Sequence, residues 1–485
     1  MYFFLIFFLI SRSLTFIFLE INNLAIEQNN NYIDQDFIQL FLFNHTLPNG
    51  HLVLEKFISL TEVNSNLIFY FLNIFYTLAI CILLNDLLKK NLVKEIYRVL
   101  VLVTLSAVLL PYETWRFGHH DHINLLIISY LFWSMYYFIN YKKKFNDVIL
   151  SLILLNLFYA LGFLYLLIVF AFTILLFKVN NQKFSKWFYF KFSIIFTLVF
   201  IIFFKNYINV SILSPTSMGG ANLIQRTVHA IGENKYQKLI EINKHNYPRW
   251  WIVLTNKILN NNKNIDNVDL RISNLAHGVV NKDNFLNFKI QKKIIEKYNL
   301  SDEEITSYLL KDEFNFKFRK WLYEYGYQQN LISTKYQSFG KSIFLEACKL
   351  YPNDMLIGKL GNKGITLTIL HMISYAGLLP NYYEVDKKYK NITLNYFNNF
   401  LRIIIMIILF LTPIVLLKKI KYKNLGKKDI YYLLLLFSIM INTIISSIIT
   451  CCENPRMFVM QTFLITMICI LNISYIKKDI IRIYK

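Results

Sequence analysis

Long apolar runs without any charge constrain this chain more than any other feature. The segments Ile194–Phe204 and Ile403–Leu411 contain no ionisable side chain, so neither has a face that water would solvate. Hydrophobic residues make up 55% of the 485 residues and charged residues only 17%, against about 25% charged in a typical soluble protein. The sequence therefore predicts an integral membrane protein and excludes a soluble multidomain enzyme.

The number of membrane spans follows from the length of the apolar segments. A helix needs roughly 20 apolar residues to cross about 30 Å of hydrocarbon. Gly162 divides the stretch 148–177, which is too long for one span, and Arg12 interrupts the first segment, which we interpret as a retained anchor and not a signal peptide. The predicted fold is an all-α polytopic membrane protein with about ten transmembrane helices. The predicted spans are 3–19, 66–86, 98–112, 122–140, 148–160, 162–177, 187–204, 399–417, 429–449 and 457–476.

Positive charge predicts the orientation of these spans, because cytoplasmic loops carry an excess of Lys and Arg. With ten spans, every basic cluster falls on one side of the membrane. These clusters lie at 89–98, 142–144, 178–191, 418–428 and 477–485. Both termini are thus expected in the cytoplasm, and segments 20–65 and 205–398 outside. The chain divides into a membrane domain at 1–204, a mainly helical external domain at 205–398 and a second membrane domain at 399–485.

The net charge of +22, from 52 basic and 30 acidic residues, raises the question of whether the protein binds nucleic acid. Most of the excess lies in short loops between apolar runs, so it is explained by membrane flanks and does not favour nucleic-acid binding. The five cysteines contain no C-x-x-C pair and predict neither a disulfide framework nor a thiolate metal site.

Four polar clusters fall on the predicted external face. The first is Asp34-Gln35-Asp36 in segment 20–65. Two carboxylates spaced in this way can approach one cation, or one of them can act as a general base. A hydrated loop or a helix N-cap would account for the same residues.

The second cluster is the turn between the third and fourth spans, at 111–122. Its histidines and acids suit a polar rim that binds a phosphate or a sugar, and a divalent cation held by Asp34, Asp36, Glu113 and His120 is an alternative. A turn that is merely solvated is the alternative to the phosphate- or sugar-binding rim. The candidate substrate-binding residues are Tyr112, Glu113, Trp115, Arg116, His119, His120 and His122.

The third cluster lies where the chain enters the external domain. Gly219-Gly220 precedes a predicted helix whose free N–H groups could bind an anion, with side-chain donors beside it. A loop that turns away from the membrane is the alternative. The candidate donors are Ser217, Asn222 and Arg226. Two further helices are predicted in this domain, Leu223–Ile240 and a run opened by the capping box at 301–304.

The fourth cluster is Glu453-Asn454-Pro455-Arg456, between the last two spans. An arginine at this position can form paired hydrogen bonds with a phosphate at the membrane surface. It would equally serve as an interfacial anchor.

The order of these motifs resembles the GT-C superfamily of polytopic glycosyltransferases, in a branch related to dolichyl-phosphate-mannose mannosyltransferases. Tyr112-Glu113-Thr114-Trp115 resembles that branch's Tyr-Glu-Asn-Trp, and 217–223 resembles its Ser-x-x-Gly-Met-Asn-Leu. Residues 453–456 resemble its terminal Glu-Asn-x-Arg, and Asp34 with Asp36 resembles its acidic pair. The His-x-x-Pro-Pro stretch of the family appears here only as His51-Leu52-Val53-Leu54.

The resemblance implies an inverting transfer of a sugar from a polyprenyl-phosphate-linked donor to a glycan, lipid or protein acceptor. Asp34 or Asp36 would be the catalytic base, and Arg456 and Arg226 would hold the leaving phosphate, with Arg116 as a third candidate. Glu113, His120 or His122 would orient the acceptor or a divalent cation. It also implies a bacterial inner membrane with the active site on the periplasmic face.

Two other functions remain open. An O-antigen polymerase or ligase acting on polyprenyl-diphosphate glycans would use residues of the large external segment, with His229, His277, Arg226 and Arg249 as candidates. A transporter or flippase would require ionisable groups near mid-membrane, whereas Asp86 and Glu95 lie at the predicted cytoplasmic edge.

Overall fold

The structure is a computed structural model, and its described part is almost entirely helical. Of the described residues, 89% are helical and none lies in a β-strand. This result confirms the predicted all-α class. The residues described are 2–21, 49–60, 65–91, 93–113, 118–179, 185–210, 212–214, 216, 218–263, 266, 268–278, 302–303, 306, 336–358, 364–365, 426–449 and 463–471.

The helices of the membrane domains follow the predicted apolar segments. Five of them are long and apolar enough to cross a bilayer, namely Leu67–Lys90, His120–Tyr141, Gly162–Val179, Lys186–Ile208 and Lys427–Ser446. Two shorter apolar helical stretches are Tyr2–Ile17 and Phe145–Phe158. The protein is therefore described as a membrane protein, but the predicted count of ten spans is not established, and 399–417 lies outside the described residues. The helices are α1 Tyr2–Ile21, α2 Asn49–Ser59, α3 Ser65–Lys90, α4 Glu95–Glu113, α5 Gly118–Tyr141, α6 Phe145–Phe158, α7 Gly162–Val179, α8 Lys186–Val210, α15 Lys427–Ile449 and α16 463–471.

The predicted break near Gly162 is confirmed. Helix α6 ends at Phe158 and α7 begins at Gly162, with a three-residue turn between them. A Cβ on Gly162 would lie 2.4 Å from the Leu155 carbonyl oxygen, so only glycine allows the chain to turn back this closely. The hairpin therefore consists of two short antiparallel helices.

One apolar core unites the membrane helices. Its buried residues come from α1, α3–α8, α15 and α16, and α3 packs against α5, α5 against α6, and α15 against both α5 and α7. At one end of this bundle, which we call the histidine end, α3 and α5 begin and α6 ends, close to His51, His120 and His122. The opposite end, which we call the lysine end, carries Lys89, Lys90 and the connection 142–144.

A second core lies in the segment predicted to be external, and its largest buried side chains include those of Trp250, Trp251 and Tyr336. The Trp251 and Tyr336 rings stack at 5.0 Å. Helix α9 packs against most of this core and also contacts α15 of the membrane bundle. The helices are α9 Met218–Ile231, α10 Glu233–Ile242, α11 Arg249–Asn262, α12 Val268–His277, α13 Gly340–Leu350 and α14 Pro352–Leu356.

The predicted continuous helix Leu223–Ile240 is wrong. Helix α9 ends at Ile231 and α10 begins at Glu233, because Gly232 takes a φ of 79°. This left-handed backbone conformation is incompatible with an α-helix. Of the predicted capping-box region at 301–304, the structure describes only Asp302 and Glu303. Asp302 accepts a hydrogen bond from Trp250 Nε1 at 2.9 Å.

Candidate functional site

Two segments that are distant in sequence meet at the histidine end. The imidazole rings of His51 on α2 and His120 on α5 contact edge to face, with centroids 4.1 Å apart and an interplanar angle of 81°. His51 also contacts the Phe158 ring at 5.3 Å. His51 belongs to the predicted segment 20–65 and His120 to the predicted cluster 111–122, so this contact joins the first predicted external segment to the second polar cluster.

Helix α2 can lie this close to α6 because residue 50 is a glycine. A Cβ there would lie 2.6 Å from the Phe158 ring. On the buried side of α2, His51, Lys56 and Ile58 are almost inaccessible. Exposed apolar side chains on the helix include Val53 and Phe57. The sequence of α2 is thus amphipathic, and its docking on α6 positions His51.

The first turns of α5 place further polar groups under this contact. Asp121 and His122 follow His120 and are 1% and 0% exposed, and Asn124 is 4% exposed. An acidic side chain in the first turn interacts favourably with the helix dipole. Ionisable side chains inside a membrane segment are rare and mark functional sites more often than surface charges do, so this turn is a candidate site.

The turn between α6 and α7 links this region to α15. The Tyr159 hydroxyl donates a hydrogen bond to Asn442 Oδ1 at 3.3 Å, and Asp121 lies close enough to Tyr159 to interact with it electrostatically. Asn442 is followed on α15 by the buried residues Thr443 and Ser446. Helix α15 therefore adds an amide and two hydroxyls to the same end of the bundle.

We call this set of residues the histidine-end cluster. Its members come from α2, α5, the α6–α7 turn and α15. They are His51, His120, Asp121, His122, Tyr159 and Asn442.

The length of α6 sets the depth of this cluster. With 14 residues at about 1.5 Å each, the helix is roughly 21 Å long, about 9 Å less than the hydrocarbon thickness. If α6 begins at the lysine-end membrane surface, Tyr159 lies below the opposite surface. Polar groups at such depth must be satisfied by one another or by a ligand.

The cluster can supply acid–base and hydrogen-bonding chemistry. Imidazoles titrate near neutral pH and can move a proton, while the carboxylate, phenol and amide can hold sugar hydroxyls. Among the described residues, no group of three His, Cys, Asp or Glu side chains is arranged to hold a metal ion. The divalent cation expected at Asp34, Asp36, Glu113 and His120 is not tested by this result, because only His120 has a described side chain.

Most other predicted site residues cannot be placed. The helical backbone of α4 and α5 includes three of them, Tyr112, Glu113 and His119, whose side chains are outside the described part. The residues that lie wholly outside it are Asp34, Asp36, Trp115, Arg116, Ser217, Glu453 and Arg456.

The third cluster has a different local structure from the one predicted. Gly219 and Gly220 lie within α9, and a Cβ on Gly220 would be 1.9 Å from the Gln337 carbonyl oxygen. Gly220 is therefore required by close packing, which gives it a structural reason independent of anion binding. Farther along α9, Asn222 is half-buried and the Arg226 side chain is completely buried.

The residues considered for a polymerase or ligase are distributed over three helices. His229 lies near the end of α9, and Arg249 is exposed at the start of α11. His277 ends α12, where its Nδ1 is 2.8 Å from the Ser273 carbonyl oxygen.

Sequence reasoning missed His51 as a candidate site residue. The available signal was the histidine itself, which opens the segment His51-Leu52-Val53-Leu54. Only the fold shows that this histidine contacts His120.

Comparisons with protein-family models, curated proteins and solved structures give no match for this chain. The functional assignment therefore depends on the residues and contacts described above.

Proposed function

We propose that this protein is a membrane glycosyltransferase that transfers a sugar from a polyprenyl-phosphate-linked donor to an acceptor. The observation that carries the proposal is the contact between His51 and His120, which joins two polar segments above the buried Asp121 and His122. A lipid-linked sugar presents its phosphate and sugar at the membrane surface, where such a cluster can reach both. The order of sequence motifs, which resembles the GT-C superfamily, supports the same reaction.

The proposed active site opens on the external, periplasmic side of a bacterial inner membrane. Basic residues concentrate at the lysine end, including Lys89, Lys90 and the connection 142–144. The histidine end therefore faces outward under the positive-inside rule. A nucleotide sugar in the cytoplasm would be on the wrong side for this site, which favours a lipid-linked donor.

In the proposed mechanism, Asp34 or Asp36 removes a proton from the acceptor hydroxyl. This oxygen attacks the anomeric carbon from the face opposite the phosphate, the bond to the phosphate oxygen breaks, and the sugar is transferred with inversion. Arg456 stabilises the negative charge on the departing phosphate, whereas the completely buried side chain of Arg226 has no surface with which to contact it. His120 and His122 orient the acceptor, and His51 fixes the ring of His120.

Transfer from a polyprenyl-phosphate sugar by the purified chain in detergent tests the proposal. Asp34→Asn or Asp36→Asn should reduce the rate by about 10²-fold or more, the usual range for loss of a general base. Asp266→Asn, an exposed acid in the segment predicted to be external, is the matched control and should retain full activity. Full activity in both aspartate variants would exclude Asp34 and Asp36 as the catalytic base.

A second set of variants separates this function from a polymerase or ligase. His277→Ala and Arg249→Ala should leave glycosyl transfer unchanged if the first segment supplies the base. If these variants abolish assembly of polyprenyl-diphosphate glycans while Asp34 and Asp36 are dispensable, the large external segment contains the active site and the proposal is wrong.

A further inference from the structure

At the lysine end, three aromatic side chains of α5 contact one another in a row, which we call the aromatic stack. The rings of Tyr130 and Trp133 are stacked, 5.7 Å apart at 15°, and the Tyr137 ring lies 4.9 Å from that of Trp133 with a tilt of 53°. Their spacing of three and four residues places them on one face of the helix. All three side chains are partly accessible, so the stack is not part of the closed core.

Two carboxylates flank the stack from neighbouring helices. Asp86 on α3 accepts hydrogen bonds from Trp133 Nε1 at 2.8 Å and from the Tyr137 hydroxyl at 2.6 Å, both at Oδ2. Asp147 on α6 accepts one from the Tyr130 hydroxyl. The aromatic groups thus hold both acids in fixed positions beside their own rings.

The chain already places one ammonium group in this patch. Lys144 Nζ lies 5.5 Å from the centroid of the Trp133 ring and 3.5 Å from Asp147 Oδ2. Lys142 and Lys144 both have positive φ, at 56° and 68°, in the three-residue connection between α5 and α6. This conformation is unfavourable for residues other than glycine, and the turn that contains it directs Lys144 back over Trp133.

We propose that the Tyr130–Trp133–Tyr137 stack, together with Asp86 and Asp147, is a binding site for the ammonium headgroup of a membrane lipid. Aromatic faces attract cations, including primary ammonium groups such as that of Lys144 over Trp133. Two carboxylates against one lysine leave the patch with one net negative charge in a surface that is otherwise strongly basic. A phosphoethanolamine-type headgroup fits this arrangement, because its ammonium enters the acidic patch while its phosphate meets exposed lysines such as Lys143.

The site works by exchange of one ammonium for another. The Lys144 side chain is 46% exposed, so it can leave Trp133 for water when the headgroup ammonium takes its place. Lys144 is therefore a competitor of the lipid. This distinguishes a binding site from a structural latch, in which Lys144 would only stabilise the ends of α5 and α6.

Retention of lipid by the purified full-length chain tests the proposal. The protein is reconstituted into nanodiscs of equal parts phosphatidylethanolamine and phosphatidylglycerol, and the lipids retained after transfer to detergent are counted by native mass spectrometry. The wild type should retain phosphatidylethanolamine in preference. Equal retention of the two lipids would overturn the proposal.

Variants identify the residues responsible. Asp86→Asn and Trp133→Ala should weaken phosphatidylethanolamine retention about tenfold, in line with a desolvated cation–π contact. Trp133→Phe, which keeps a ring but removes the hydrogen bond to Asp86, should cause a smaller loss and covers the case in which Trp133→Ala does not fold. The matched controls, Glu95→Gln and Trp187→Phe, change exposed residues near the same end and should have no effect.

Lys144→Gln gives the decisive result, because removal of the competing ammonium should increase phosphatidylethanolamine retention several-fold. Unchanged or weaker retention in this variant, or unchanged retention in Asp86→Asn, would show that the cluster is a structural latch. The measurement does not involve glycosyl transfer, so its failure would leave the proposed function untouched.

Discussion

The close contact between α9 and the start of α13 predicts that alanine at Gly219 and at Gly220 has different effects on stability. A Cβ on Gly220 would lie 1.9 Å from the carbonyl oxygen of Gln337, whereas a Cβ on Gly219 would have nothing within 4 Å. Real Cβ atoms essentially never come closer than 3.0 Å to a heavy atom outside their own stretch of chain. In Gly220→Ala the two backbones would therefore have to separate by about 1.1 Å (3.0 minus 1.9). The obstructing atom belongs to the backbone and cannot rotate away.

The expected energies of the two variants have opposite signs. In Gly219→Ala only the helix propensity changes, which favours alanine by up to about 1 kcal/mol. In Gly220→Ala this gain is outweighed by overpacking, which costs about 1–3 kcal/mol and sometimes more. Because both variants gain the same helix propensity, their free energies of unfolding should differ by the overpacking cost alone, about 1–3 kcal/mol, with Gly220→Ala the less stable.

Thermal unfolding of the purified variants in detergent measures this difference, and hydrogen exchange locates it on α9 and α13. Gly340→Ala should resemble Gly220→Ala, because its Cβ would lie 2.2 Å from the Gly220 carbonyl oxygen. If Gly219→Ala and Gly220→Ala have the same stability, α9 and α13 do not cross at this glycine. The position of Arg226 on α9 would then need to be reconsidered.

Three further variants test other parts of the structure. Gly50→Val should displace α2 from Phe158, separate His51 from His120 and lower glycosyl transfer at least tenfold in the transfer assay, without affecting lipid retention at the lysine end. Arg12→Leu removes a buried hydrogen bond from Arg12 Nη2 to the Ser106 carbonyl oxygen at 2.8 Å. Thermal unfolding should show a loss of stability of about 1.5–3 kcal/mol, a range typical of charged donors. Arg12→Lys should lose less stability than Arg12→Leu, because it keeps a charged donor. Burial raises the pKa of Tyr336 to about 12 from its ordinary value of 10.0. The stability that the neutral phenol contributes is therefore complete below pH 10, and it is lost at about 1.4 kcal/mol per pH unit as the unfolded phenol ionises between pH 10 and 12. Denaturation at about pH 9 and about pH 11 should show that the free energy of unfolding decreases less in Tyr336→Phe than in the wild type.

The membrane helices could be predicted because apolar length is a local property. Gly162 interrupts a stretch that is too long for one span, and the structure turns between Phe158 and Gly162 as expected. The break at Gly232 was missed because Leu223–Ile240 keeps a helical apolar pattern on both sides of the glycine. A glycine inside such a pattern can be helical or left-handed, and only its φ of 79° decides.

The candidate site was harder to predict, because its contacts join residues that are distant in sequence. His120 and His122 stood out as part of a dense polar turn. His51 did not, since a single histidine in an amphipathic segment has no pattern that points to a partner 69 positions away. The contact of Tyr159 with Asn442 spans 283 residues and likewise has no local signature. The role of Asp86 as an acceptor for two aromatic donors was also invisible, because the sequence showed only its place at the end of a span.

Three buried hydroxyls in the middle of the described bundle bear on the alternative function of a transporter. Ser129, Ser151 and Thr173 are buried between the two ends, and each donates a hydrogen bond to the carbonyl oxygen four residues earlier on its own helix. Hydroxyls satisfied in this way leave little capacity to coordinate a passing solute. The guanidinium of Arg12 is held by the Ser106 carbonyl oxygen and lies over the Phe8 ring at 4.3 Å. Alternating access requires a solute site near mid-membrane, and these three hydroxyls, each bonded within its own helix, do not supply one.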